Sequence, residues 1–105
     1  MDNKPNIITQ VKAIVHQYDA AAELILFGSR ARGDYNEESD WDILVLSSLP
    51  VTDNLKDAVR TEVLHKIEMV TFDAVNIIWH NKQEWHTQYA VTNLYDSIRE
   101  EGIVV

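Results

Sequence analysis

The 105-residue sequence contains no cysteine, which excludes a disulfide framework and thiolate chemistry. No apolar run approaches the ~20 residues that a membrane-spanning helix requires. Residues 1–5 lack the basic and apolar regions of a secretory signal. Together these absences predict a cytoplasmic protein that does not enter the membrane.

Basic residues are scarce. Lys and Arg number 9 against 17 Asp and Glu, and the formal net charge is −8. Proteins that bind nucleic acids usually have the opposite balance, because neutralising phosphates supplies much of their affinity. Direct nucleic-acid binding is therefore not expected. A nucleotide is still compatible with this charge if local donors or a bound cation offset the field.

Glycine and proline are also rare, with 3 and 2 copies, and two of the glycines fall within residues 28–38. The hydrophobic content of 46% and the three tryptophans exclude a disordered chain. The length suits one domain over residues 1–105, without repeats or linkers.

Hydrophobic periodicity alternates between helical spacing and short apolar runs. The order α-β-(turn or helix)-β-α-β-α predicts an α+β domain, in which helices cover a small mixed β-sheet. The predicted helices are residues 5–19, 55–69 and 82–100, and the predicted strands are residues 22–27, 39–46, 72–79 and a short edge strand at 103–105.

Two aspartates, Asp40 and Asp42, stand at the polar start of the second strand. Residues two apart on a strand point to the same face, so these carboxylates should lie side by side, with Trp41 facing the other way. Like charges held together repel unless a cation joins them, and paired oxygen ligands suit magnesium. An isolated Asp-x-Asp is more often a pair of solvated carboxylates, and that alternative stays open for these two residues alone.

The turn before this strand favours the functional interpretation. Gly28 and Ser29 directly follow a buried strand, where glycine allows a tight turn and backbone amides can approach a phosphate. The Ser29 hydroxyl and the guanidinium groups of Arg30 and Arg32 are further candidate donors. A phosphate cradle beside paired carboxylates is the combination that phosphoryl or nucleotidyl transfer needs.

A third acid, Asp73, lies near the start of the next predicted strand. If that strand is a neighbour of the Asp40–Asp42 strand, Asp73 can complete a cation site. The alternative is an aspartate solvated at the strand end.

Gly28-Ser29, ten intervening residues and Asp40-x-Asp42, with Ala-Arg-Gly inside and Ile-Leu-Val after, resemble the minimal nucleotidyltransferase family of the polymerase-beta-like superfamily. The resemblance implies that Asp40, Asp42 and Asp73 are catalytic and bind two Mg²⁺ ions. It also implies that Gly28, Ser29 and, more loosely, Arg30 and Arg32 bind the nucleotide, with ATP as donor.

Minimal members of this family often pair with a helical HEPN-domain protein. The resemblance therefore implies an antitoxin that attaches AMP to a hydroxyl of a HEPN-domain toxin. One alternative is a non-catalytic antitoxin or binding module that acts by contact alone. Another is transfer to a small molecule or an RNA end.

Overall fold

The computed structural model describes the backbone of residues 4–105 and the side chains of residues 7–105. Residues 1–3 belong to the segment from which the absence of a secretory signal was predicted, and they lie outside the described part. No helix in the described part is long and apolar enough to cross a membrane.

The chain forms a four-stranded mixed sheet with helices on both faces, which confirms the predicted α+β class. The strand order is β3-β2-β1-β4; β2 and β3 are parallel, and the other two pairs are antiparallel. The strands are β1 (Glu23–Phe27), β2 (Trp41–Ser47), β3 (Val75–Asn81) and β4 (Ile103–Val104).

The helices follow the predicted order with two differences in extent. They are α1 (Lys4–Tyr18), α2 (Ser29–Arg32), α3 (Asp53–Val63), α4 (Met69–Thr71), α5 (Lys82–Thr87) and α6 (Asn93–Glu101), with a π-helical segment (Leu64–Glu68) joining α3 to α4.

The first difference lies at the start of β3. The strand was predicted from residue 72 but begins at Val75, because the helical segment before it runs on and ends at Phe72. Phe72 has a φ of 62°, the left-handed conformation that stops a helix, and its side chain is 90% exposed. Asp73 therefore lies outside the strand that was predicted to contain it.

The second difference is a break in the helix predicted over residues 82–100. The Thr92 hydroxyl accepts a hydrogen bond from the Tyr95 amide and donates one to the Tyr89 carbonyl. These bonds cap a new helix at Asn93, so α5 and α6 are separate.

The two faces of the sheet have separate cores. Alternation along β2 places Trp41 and Ile43 in the core that includes α1 and α3, and Leu44 in the core that includes α5 and α6. Asp42 shares its face with Leu44, at the beginning of β2. The fold thus places a carboxylate at the edge of the second core, beside the end of β1.

Candidate active site

The site lies where β1 ends and where the parallel strands β2 and β3 begin. Phe27, the last residue of β1, pairs with Asp42, which in turn pairs with Asn76 of β3. These three positions share one face of the sheet. The turn at Gly28 follows at once, so the chain topology brings the turn and the aspartates together.

Asp40 and Asp42 converge on a single donor. The Asn76 side-chain nitrogen, Nδ2, donates to Oδ2 of Asp40 at 3.0 Å and to Oδ1 of Asp42 at 3.1 Å. Trp41, between the two aspartates, is buried in the opposite core, as predicted. The expected side-by-side placement of the two carboxylates is therefore present.

Gly28 packs directly against Asp42. A Cβ atom built on Gly28 would lie 2.3 Å from Oδ2 of Asp42, closer than any real carbon–oxygen contact. Gly28 also has a φ of 75° and a ψ of −159°, a region that is essentially restricted to glycine. Two independent constraints thus require glycine where the turn meets the carboxylate.

The turn continues into the short helix α2. The Gly28 carbonyl accepts hydrogen bonds from the amides of Ala31 and Arg32, both at 3.1 Å. The amides of Ser29 and Arg30 belong to the first turn, where a helix has no internal acceptor for them. They therefore stand at the end of the helix that adjoins the aspartates.

Arg30 has a different setting from the one expected for a phosphate ligand. Its side chain is only 6% exposed, and its guanidinium donates to the carbonyls of Ser39 and Glu37. The guanidinium carbon also lies 4.1 Å from the centre of the Trp41 ring and 4.8 Å from that of Tyr35. These contacts fix the loop that delivers Asp40 to β2, and a nucleotide contact by Arg30 stays a prediction.

Arg32 lies on the exposed side of α2. Its guanidinium donates to Asp34 at 3.3 Å and to Glu101 at 3.2 Å, which links α2 to the end of α6. Exposed pairs of this kind contribute little to stability, and an entering phosphate can compete for the same donors.

The structure does not bring Asp73 into one metal-binding group with Asp40 and Asp42. It lies two residues before β3, where its amide donates to the Thr71 hydroxyl at 3.2 Å. Within residues 7–105, no three His, Cys, Asp or Glu side chains form a group that could hold a metal ion. The parallel strand does run beside β2, as required, but the residue it places opposite Asp42 is Asn76.

Asn76 is the site residue that the sequence did not identify. It appears there only as a polar interruption of an apolar strand. Its period-two spacing from Ile78 and His80 is visible in the sequence, but its partner is not, because strand register depends on tertiary pairing.

The chemistry of these side chains fits a magnesium ion. The two converging carboxylates offer hard oxygen ligands, and magnesium commonly takes one or two carboxylates together with phosphate oxygens of a substrate. Glycine at position 28 leaves no Cβ atom between the turn and the Asp42 carboxylate.

Comparison with known proteins identifies the family of this chain. A family model described as a nucleotidyltransferase domain matches residues 8–104. The chain therefore belongs to the nucleotidyltransferase domain family, and the resemblance seen in the Gly-Ser and Asp-x-Asp elements is confirmed.

Two relatives come from Methanocaldococcus jannaschii. "Putative protein adenylyltransferase MJ0141" is 64% identical over 28 residues, which cover 27% of this chain and 28% of that protein. "Putative protein adenylyltransferase MJ0604" is 44% identical over 50 residues, 47% of this chain and 50% of that protein. The chain thus matches about a quarter of the length of the first relative and half of the second.

A solved structure described as a toxin–antitoxin with AMP-PNP has the same fold. It superimposes with a TM-score of 0.61 over 94% of this chain and 69% of its own, at 21% sequence identity. At this identity the likeness establishes the fold alone.

Proposed function

We propose that the chain transfers a nucleotidyl group, AMP from ATP, to an acceptor hydroxyl in a magnesium-dependent reaction. The observation that carries the proposal is the convergence of Asp40 and Asp42 on one point, beside the glycine turn that ends β1. Membership of the nucleotidyltransferase family supports the reaction class.

In the proposed reaction, Asp40 and Asp42 hold magnesium. The bound metal would supply charge neutralisation at the phosphates and activation of the acceptor hydroxyl. The donor set fits this role because both carboxylates present oxygens to a shared position. Occupancy by two ions belongs to the proposal.

The turn residues would hold the triphosphate. The candidate donors lie on the short helix α2, which follows Gly28. They are the amides of Ser29 and Arg30, the Ser29 hydroxyl and the exposed Arg32 guanidinium. The acceptor oxygen forms a bond to the α-phosphorus as the bond from that phosphorus to pyrophosphate breaks, and the hydroxyl proton passes to solvent water. Arg30 contributes indirectly, since its bonds to Ser39 fix the approach to Asp40.

We infer that the acceptor is a hydroxyl on a toxin partner of the HEPN class, in the cytoplasm. Two relatives are named as protein adenylyltransferases, and the solved neighbour is described as a toxin–antitoxin. The net charge of −8 supports a partner with a basic surface, because complementary charge speeds and orients association.

Labelled ATP tests this function with the protein encoded beside this chain as acceptor. With magnesium, label at the α-phosphate should appear on the partner, while label at the γ-phosphate should be released as pyrophosphate. The Asp42→Asn variant should neither label the partner nor release labelled pyrophosphate. Tight binding of the partner without any transfer by the wild-type chain would contradict the enzyme and favour a module that acts by contact.

A further inference from the structure

Asn76 links the two aspartates of the site. It lies opposite Asp42 in the parallel register, and its Nδ2 atom donates to Asp40 at 3.0 Å and to Asp42 at 3.1 Å. An amide nitrogen carries two hydrogens, so one side chain makes both bonds at once. The simplest alternative role, that of an exposed polar residue at a strand end, does not account for two bonds to two separate carboxylates.

The amide group suits a site that alternates between empty and cation-bound states. Its nitrogen donates, while its oxygen accepts, and a half-turn about the terminal torsion exchanges the two. With no cation, the nitrogen relieves the repulsion between Asp40 and Asp42. With a cation, the oxygen of the same group can face the metal. A carboxylate in this position could only add to the repulsion when the site is empty.

We propose that Asn76 is the third ligand of the cation site, with Nδ2 joining the aspartates in the empty state and Oδ1 joining them around the metal. This inference rests on the proposed function, because it assigns the metal to Asp40 and Asp42. It replaces the three-carboxylate arrangement with two formal charges and one neutral oxygen.

The lower charge has a consequence for the order of binding. Cation affinity rises with the number of charged ligands in a site. Two carboxylates and an amide should therefore bind free magnesium weakly and hold it tightly only together with a triphosphate. The metal would then enter with the nucleotide, and an empty site would remain stable between turnovers.

The central experiment compares Asn76→Asp with Gln10→Glu. Both variants add one negative charge, but Gln10 is exposed on α1, against the opposite face of the sheet. Free Mn²⁺ binding, followed by electron paramagnetic resonance, should become about tenfold tighter or more in Asn76→Asp, because ligand charge tunes affinity. Gln10→Glu should bind Mn²⁺ as the wild type does.

Thermal melting gives a second readout that does not depend on activity. Without divalent cations, Asn76→Asp should melt below the wild type, because a charge replaces the donor between two carboxylates. Added Mg²⁺ should raise its melting temperature more than that of the wild type. Gln10→Glu should show neither effect.

A third variant, Asp73→Asn, distinguishes the role of Asn76 from that of Asp73, the third acid predicted from the sequence. The proposal predicts that Asp73→Asn keeps the wild-type response to Mg²⁺-ATP, while Asn76→Ala weakens nucleotide binding in the presence of Mg²⁺. The proposal is overturned if Asn76→Asp leaves Mn²⁺ affinity unchanged, or if Asp73→Asn alone removes the response.

The proposed function and the assignment of Asn76 as a metal ligand can fail independently of each other. If the wild type transfers no nucleotide but Asn76→Asp gains Mn²⁺ affinity, the proposed function is wrong and the assignment of Asn76 stands. If the wild type transfers AMP but Mn²⁺ affinity is the same in Asn76→Asp, the assignment is wrong and the function stands.

Discussion

Comparing Gly28→Ala with Gly33→Ala should distinguish the effect of backbone strain from the effect of displacing the Asp42 carboxylate. In Gly28→Ala, the new Cβ would lie 2.3 Å from Oδ2 of Asp42 and 3.2 Å from its Cγ, so the carboxylate must move. Gly33 provides the matched control. Its φ is 90°, also unfavourable for alanine, but nothing lies within 4 Å of its Cβ position.

The expected stability losses are similar in the two variants. A non-glycine residue costs ~1–3 kcal/mol in the conformation of Gly28, and ~1–2 kcal/mol in the left-handed conformation of Gly33. The reduced freedom of the unfolded chain restores up to ~1 kcal/mol in each case. Urea denaturation should therefore show a decrease of about 1–2 kcal/mol in the free energy of unfolding of both proteins.

Ligand binding should differ between them. Gly28→Ala displaces a carboxylate from the proposed metal site, so calorimetry should show Mg²⁺-ATP binding at least about tenfold weaker, a loss of ~1.4 kcal/mol. Gly33→Ala should bind as the wild type does. Equal binding by the two variants would refute the placement of Asp42 in the nucleotide site.

Three further predictions concern residues outside the proposed metal site. Asp19→Ala should lower the free energy of unfolding by about 1–3 kcal/mol, because the buried carboxylate accepts bonds from the Ser48 amide and hydroxyl. Arg30→Met should release the loop before β2, seen as faster proteolysis at residues 33–40 with the global fold retained. Wild-type stability should decrease as the pH falls below 6.5, the ordinary pKa of histidine, because burial first and Lys56 second lower the pKa of His80. The unfolded chain takes up that proton more readily, and denaturation of a His80→Phe variant across this range should show a weaker dependence.

Each of these predictions has an outcome that contradicts it. For Asp19, burial alone would raise the pKa, but the hydrogen bonds led by those of Ser48 outweigh it and lower the pKa. Its contribution is then present above pH 3.8 and lost as the pH falls through the lower folded value, so an equal loss of stability on acidification in wild type and Asp19→Ala would count against it. Unchanged proteolysis in Arg30→Met, or a pH profile unaffected by His80→Phe, would likewise contradict the other two.

Much of the element order follows from local patterns in the sequence. The buried residues of α1 recur at helical spacing. At the start of β2, apolar Trp41 is followed by polar Asp42, and this alternation places Asp42 on the face opposite to that of Trp41. The placement of Asp40 beside Asp42, and the glycine turn before them, were therefore predictable without tertiary information.

The start of β3 was not predictable in the same way. Phe72 is aromatic and precedes an apolar run, which favours a strand, yet it adopts the left-handed conformation at a helix end. The Phe72 amide donates a helical hydrogen bond to the Glu68 carbonyl at 2.9 Å, which extends the helix to this residue, and Asp73 consequently falls outside the strand.

The identity of the third group in the site depends on strand register, which is a property of pairing rather than of local sequence. A parallel pairing that aligns Trp41 with Val75 places Asn76 opposite Asp42. The burial of Arg30 was hidden for a related reason, because its hydrogen-bond acceptors are backbone carbonyls of the loop, which no residue type reveals.

The most direct test of the central claim is the magnesium dependence of ATP binding, measured by calorimetry with wild type and Asp42→Asn. If Asp40 and Asp42 hold the cation that accompanies the triphosphate, the wild type should bind ATP much more tightly with Mg²⁺ than with a chelator, and the variant should lose this difference. Equal affinities of the two proteins for ATP, with and without Mg²⁺, would contradict the account.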